Sequence, residues 1–211
     1  MSNPDSSDIK TSRKWFDKGL AHDDAKNYKK AIECYDKATK LNPKYHGAWH
    51  NKGLSYSILE NYKEAIACYD KAIEIDGKDS GVWYLKGSAS FDLENYEESI
   101  ACYDKATGNE FEDEFKWYNK GESYFYLKNY EKAISCYDKA IELEDKEIIY
   151  RIRKGISYSC LKNYKEAIAC YDKAIKIDGN EGYAWRSKGR AHHNLKNYEQ
   201  AIACYAKAIA I

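Results

Sequence analysis

NYKEAIACYDKA, running from Asn61 to Ala72, decides the fold, because it returns unchanged at Asn163 to Ala174 and with small changes from Asn27, Asn95, Asn129 and Asn197. Successive starts differ by 34 residues. The cysteine inside the string keeps the same interval at Cys34, Cys68, Cys102, Cys136, Cys170 and Cys204. So does a series of Lys-Gly pairs ending in Gly19, Gly53, Gly87, Gly121, Gly155 and Gly189. A fixed period of this length marks a repeat architecture. Six units are expected, over residues 12–45, 46–79, 80–113, 114–147, 148–181 and 182–211, behind a flexible segment of residues 1–11.

Within a unit the apolar spacing is helical. Ala65, Ile66, Tyr69, Ala72 and Ile73 recur at intervals of three and four and fall on one stripe of a helix, as do Trp49, Gly53 and Tyr56 before them. Between the stripes lies a short polar joint ending in Asn61-Tyr62. Asn tolerates the left-handed backbone that stops helices, so it is expected to turn the chain. Pro43, Asp76-Gly77 and Asp178-Gly179 mark the exits. Each unit therefore reads as helix, tight turn, helix.

Trp, then Gly four on, Tyr three on, Ala nine on, an aromatic four on and Ala three on resembles the tetratricopeptide repeat. In the second unit these are Trp49, Gly53, Tyr56, Ala65, Tyr69 and Ala72, and in the fourth Trp117, Gly121, Tyr124, Ala133, Tyr137 and Ala140. The resemblance implies an all-α fold, a right-handed α-solenoid of six helix-turn-helix repeats. Gly and Ala are expected where helices approach closely, with Trp and Tyr in the wider gaps. Departures are local. Arg151 stands where the other units have Trp, Ser99 replaces an Ala, and Lys52 and its equivalents occupy a position at which the family usually has Leu. The lysine stem is expected to cover the same ground with its ammonium in water.

The 34 Lys and Arg against 34 Asp and Glu give net charge zero, which argues against a nucleic-acid or anionic-membrane partner. The longest apolar run, Ala201 to Ala206, is far short of the roughly 20 residues of a membrane span. Residues 1–11 carry no export or organelle signal, so a cytoplasmic address and reduced cysteines are expected. Cysteines at one phase of a repeat stacked at about 10 Å lie too far apart to share a metal. Cys160, off that phase, reads as a small apolar residue. His46 and His50 are four apart but lack the Glu of a metalloprotease helix, and no nucleophile triad or phosphate loop is present. No enzyme, cofactor or metal is expected. Asp172 with Lys176 and Glu33 with Lys37 read as solvated pairs on helix faces.

In the family the first helices of successive units line a concave groove. Carried over by repeat position, the groove is aromatic in its middle, at Tyr84, Phe91, Tyr118, Asn119, Phe125 and Tyr126. Its first unit presents Asp17, Asp23 and Asp24, and Phe115, Ile149 and Tyr183 share the second position of the last three units. Four of five arginines fall on the first helices of the last two units. Arg153, Arg186 and Arg190 are expected to bind an anion, Arg being the better fork for carboxylate or phosphate. The family's carboxylate clamp is not matched, since Tyr84, Ser88 and Ile149 replace three of its five residues. The expected function is a non-enzymatic scaffold binding an extended peptide or helix, with an acidic segment expected in the partner. The alternative is self-association through the last repeat, where Ala206 and Ala210 stand in place of Asp70 and Glu74.

Overall fold

The computed structural model describes residues 5–106 and 113–211, and the described residues form twelve helices and no strand. The chain divides into two compact units, Met1–Phe111 and Glu112–Ile211. The first holds three helix pairs: α1 (Ser6–Asp24) with α2 (Tyr28–Leu41), α3 (His46–Ile58) with α4 (Tyr62–Ile75), and α5 (Ser80–Asp92) with α6 (Tyr96–Lys105). The second holds α7 (Glu114–Tyr126) with α8 (Tyr130–Leu143), α9 (Ile148–Cys160) with α10 (Tyr164–Ile177), and α11 (Gly182–Asn194) with α12 (Tyr198–Ala210). The fold is an all-α solenoid of helix-turn-helix repeats, and each pair corresponds to one repeat of the sequence. Residues 1–4 of the expected N-terminal segment, and 107–112 at the close of the third repeat, lie outside the described residues.

Helix α1 begins at Ser6, not at residue 12, because Asp5 caps it by accepting the Asp8 N–H at 2.8 Å. Residues 6–11 are therefore helical. The joints also depart from expectation. The left-handed residue is the one before Asn: Lys26, Glu60, Glu94, Lys128, Lys162 and Lys196 have φ between 56° and 63°, whereas Asn61 has φ −87°. The hydrogen bonds explain the shift. Asn61 N–H reaches back to Tyr56 C=O at 2.9 Å and Glu60 N–H to Ser57 C=O at 2.9 Å, a Schellman closure that puts the left-handed residue at the first position after the cap. Asn61 is already the N-cap of α4, its carbonyl accepting from Ala65 N–H at 3.0 Å.

Small against large governs the packing inside each pair. A Cβ on Gly53 would stand 2.5 Å from Tyr69 Cε1, one on Gly121 2.7 Å from Tyr137 Cε1, and one on Gly189 2.7 Å from Tyr205 Cε1. Only glycine lets the tyrosine ring lie flat on the facing helix. Tyr35, Tyr69, Tyr137 and Tyr171 are wholly buried there. The next repeat then covers the second helix: Val82 and Ala89 of α5 close over Tyr69, and Ala184 and Ala191 of α11 over Tyr171.

Two polar clasps join consecutive repeats. Trp49, Trp83 and Trp185 donate their indole N–H to the carbonyls of Pro43, Gly77 and Gly179 at 2.9, 3.0 and 2.8 Å. Arg151, replacing Trp in the fifth repeat, reaches only its own helix start at Glu147 C=O. The lysine before each glycine forms the second clasp. Lys52 pairs with Asp36 at 2.5 Å, Lys86 with Asp70 at 2.7 Å, Lys188 with Asp172 at 2.6 Å, and Lys154 with Asp138. This corrects the expectation of an ammonium in water, since only 12% of the Lys86 side chain is exposed. Asp172 is thereby turned to the next repeat and not to Lys176, and Lys37 lies 4.1 Å above the Trp15 ring instead of serving Glu33.

Candidate functional site

In the first unit, α5 carries Tyr84 and Phe91. Both are half-buried, Tyr84 with its ring 5.6 Å from Tyr103 and Phe91 5.5 Å from Tyr96. Helix α1 places Asp17 and Asp24 in solvent, but Asp23 is engaged. It accepts the Tyr35 hydroxyl at 2.6 Å and the Ser55 hydroxyl at 2.8 Å, tying the first repeat to the second. The histidine pair lies on one face of α3 against the carboxylate that closes the same repeat: His46 Nε2 is 3.3 Å and His50 Nδ1 4.0 Å from Asp79 Oδ2. The other oxygen of Asp79 caps α5. Among the described residues no group of three or more His, Cys, Asp and Glu is arranged to hold a metal ion.

In the second unit, α7 brings Tyr118, Asn119, Phe125 and Tyr126 together. Tyr118 lies 6.1 Å from Tyr137 and 5.2 Å from Tyr150, and burial pushes its hydroxyl up to about 12. Phe125 packs on the α9–α11 core beneath the Arg153 guanidinium, 4.5 Å from its ring. Both residues support the scaffold as well as lining its surface. Tyr126 is half exposed, at 51%.

Arg153 is committed within the protein. Its fork grips the Glu122 carboxylate through Nε and one terminal nitrogen, Nη2, and Glu122 also accepts the Tyr137 hydroxyl at 2.6 Å. Burial opposes the charge on Arg153, but Glu122 prevails and holds its pKa above the usual value. Glu122 stands at a groove position of the fourth repeat, but its charge answers that of Arg153. Arg186 and Arg190, one turn apart on α11, are both exposed, and neither is paired with an acid among the described residues. With Tyr183, Ser187 and Tyr205 they line a pocket of about 300 Å³, the Arg186 guanidinium stacked 4.9 Å from the centre of the Tyr183 ring.

A pattern that unites these residues lies at the second position of the last three repeats. Phe115, Ile149 and Tyr183, on α7, α9 and α11, are 56, 38 and 43% exposed. The first unit has Arg13, Gly47 and Gly81 at the same position, so the apolar ladder belongs to the second unit. The cysteines, by contrast, are free, and all but Cys160 are buried. Burial holds the thiols of Cys68 and Cys102 up at about 11. None of the helices described is long and apolar enough to cross a membrane.

Among curated proteins no match was found. Solved structures similar to the chain include YrrB, described as a TPR protein with an unusual peptide-binding site. It is 23% identical over 85% of this chain and 92% of that one, with a TM-score of 0.73. MamA is 22% identical over 81% of this chain and 93% of that one, with a TM-score of 0.77. Pseudomonas aeruginosa pilF is 16% identical over 94% of this chain and 90% of that one, with a TM-score of 0.70. At these identities the likeness establishes the fold alone. Family models of the tetratricopeptide repeat match residues 12–45, 47–79, 80–112, 116–146, 150–181 and 182–211. With Gly packed on Tyr in every pair and the signature residues in phase throughout, the chain belongs to the tetratricopeptide repeat family.

Proposed function

We propose that the chain is a non-enzymatic scaffold whose first helices capture an extended, apolar peptide carrying an acidic segment. The exposed ladder of Phe115, Ile149 and Tyr183 carries this reading. Repeats stack at about 10 Å, and an extended chain in the polyproline II form advances about 3.1 Å per residue with three residues per turn, so such a ligand meets successive rungs with every third side chain. Tyr118, Asn119 and Tyr126 share α7 with Phe115, and Phe125 packs on the neighbouring core beneath Arg153. Tyr84 and Phe91 are the corresponding groove residues of the first unit. Arg186 and Arg190 receive the ligand's carboxylates, while Arg153 contributes through Glu122 to the scaffold. An adaptor role fits a helical surface of this kind.

The test is selection of displayed peptides on the full chain, followed by titration of a selected peptide. Phe115→Ala and Tyr126→Ala should each cost roughly 1–2 kcal/mol of binding. Arg186→Ala with Arg190→Ala should weaken acidic peptides most and flatten their salt dependence. Unchanged affinity across these variants would remove the binding surface from the first helices. A second reading, self-assembly through the last repeat, is favoured by the 68 and 85% exposure of Ile202 and Ile209 on α12. Sedimentation at two concentrations decides it.

A further inference from the structure

The pocket on α11 and α12 resembles, in reverse charge, a junction inside the protein. Between the fourth and fifth repeats, Glu122 of α7 and Tyr137 of α8 receive Arg153 from the next first helix. Two repeats further on, Arg190 stands at the position of Glu122 and Tyr205 at that of Tyr137. Arg186 stands where the first repeat has Phe16, a residue that faces Gly47 at the second position of the following helix. On α12, which supplies Tyr205 to the pocket, Ile202 and Ile209 repeat Ile168 and Ile175, which pack with Tyr171 in the cluster that Ala184 and Ala191 join. On α12 the same stripe lies open, Ile202 being 68% exposed where its equivalents Ile32 and Ile134 are 8% exposed.

From this template we infer that the open face of α11 and α12 takes an amphipathic acidic helix from a partner protein, docked as each internal first helix is docked. The template sets the chemistry of that helix. Acids one turn apart, at i and i+4, meet Arg186 and Arg190; small or apolar residues at i+1 and i+8 cover Tyr205 and Ile202, as Ala184 and Ala191 cover Tyr171. A repeat of this chain's own kind does not fit. Its lysine before the glycine would meet Ala206, the residue that replaces the clasping aspartate. Helix α1 of a second copy would add Arg13 and Lys14 at i and i+1, leaving Asp17 as the single matching charge. The inference rests on the anion-binding reading of Arg186 and Arg190 and adds the helical form of the ligand.

The probe is a hydrocarbon-stapled synthetic peptide with the sequence of residues 80–92, in which Lys86→Gln removes the clasping lysine and Gly81→Glu and Leu85→Glu supply the acids. A second peptide carries Gly81→Lys and Leu85→Lys, and a third is the acidic one unstapled and broken by proline at Ser88. Titrated into the full chain, the acidic stapled peptide should bind at least tenfold tighter than its lysine counterpart. A chain with Arg186→Glu and Arg190→Glu, both exposed positions, should reverse the order. Equal binding of the two stapled peptides, or binding of neither, overturns the inference. Equal binding of the proline-broken peptide also overturns it, while leaving the arginine pair as an anion site for an extended ligand. A concentration-dependent dimer that excludes the peptide would assign the face to a second copy.

Discussion

Asp70 Oδ1 on α4 lies 2.7 Å from Lys86 Nζ on α5, although the two residues are sixteen positions apart and belong to different repeats. Glu98 adds a second contact to the same ammonium at 2.9 Å. Burial works against the charge on Lys86, but the two carboxylates prevail and raise its pKa. Lys86→Ala, which removes both stem and charge, should cost about 1–2 kcal/mol in urea unfolding. Asp70→Ala should cost less than about 1 kcal/mol, the carboxylate being half in water. Ala206→Asp should be neutral to within about 0.5 kcal/mol. Equal losses at Asp70 and Lys86 would show that the pair, and not the lysine stem, carries the effect.

The left-handed joints store backbone strain. Lys162 holds φ at 63°, a conformation that costs an L-residue roughly 1–2 kcal/mol and glycine little. Lys162→Gly should therefore raise stability by about 0.5–1 kcal/mol once the greater freedom of glycine in the unfolded chain is set against it. Thermal or urea unfolding reads the change, and a net loss would mean that the lysine side chain contributes contacts outweighing the strain.

Thiol chemistry should separate one cysteine from six. Iodoacetamide at neutral pH should add one group to the native chain, at Cys160, because the other six are buried and reaction needs an accessible thiolate. Denaturant should expose all seven. Mass spectrometry of peptides reads the sites, and early labelling of Cys68 or Cys102 would contradict the packing described for the second helices.

Stability should fall on mild acidification. Burial lowers the pKa of His50 below 6.5, with Asp79 opposing and His46 adding to the shift; burial, then Lys188, lowers that of His192. The unfolded chain thus binds more protons than the native one just below 6.5. The contribution of both neutral histidines is full above that value and is lost as pH falls through it toward the folded pKa. Urea midpoints at pH 7.5 and 5.5 should show the loss, and His50→Gln should reduce it. An unaltered pH slope in that variant would exclude His50 as a source.

What the sequence discloses is whatever repeats locally. Gly53 and Tyr69, at fixed phase in every unit, could be read as partners because a helix pair needs a small residue opposite a large one. The Lys86 clasp escaped that reading, since a spacing of sixteen has no meaning on one helix and acquires it only when the next repeat docks. The same holds for Arg153: its arginine stood out, but its partner Glu122 lies in the preceding repeat, thirty-one positions away. The turn was misplaced by one residue because Schellman closure dictates which backbone position is left-handed, whatever side chain stands there. Exposure at Phe115, Ile149 and Tyr183 likewise required the packed structure, as apolar residues at other positions of the same helices are buried.

The clasping aspartates and lysines also make the repeats interchangeable. Removing or inserting a whole 34-residue module between two clasps returns an aspartate to a lysine in the old register, whereas a change of any other length sets every downstream lysine against the wrong residue. Length variation in this protein is thereby quantised, with whole modules as its unit. At Ala206 the code word for joining is missing, so the sixth repeat is the one place after which such a module would find no handshake.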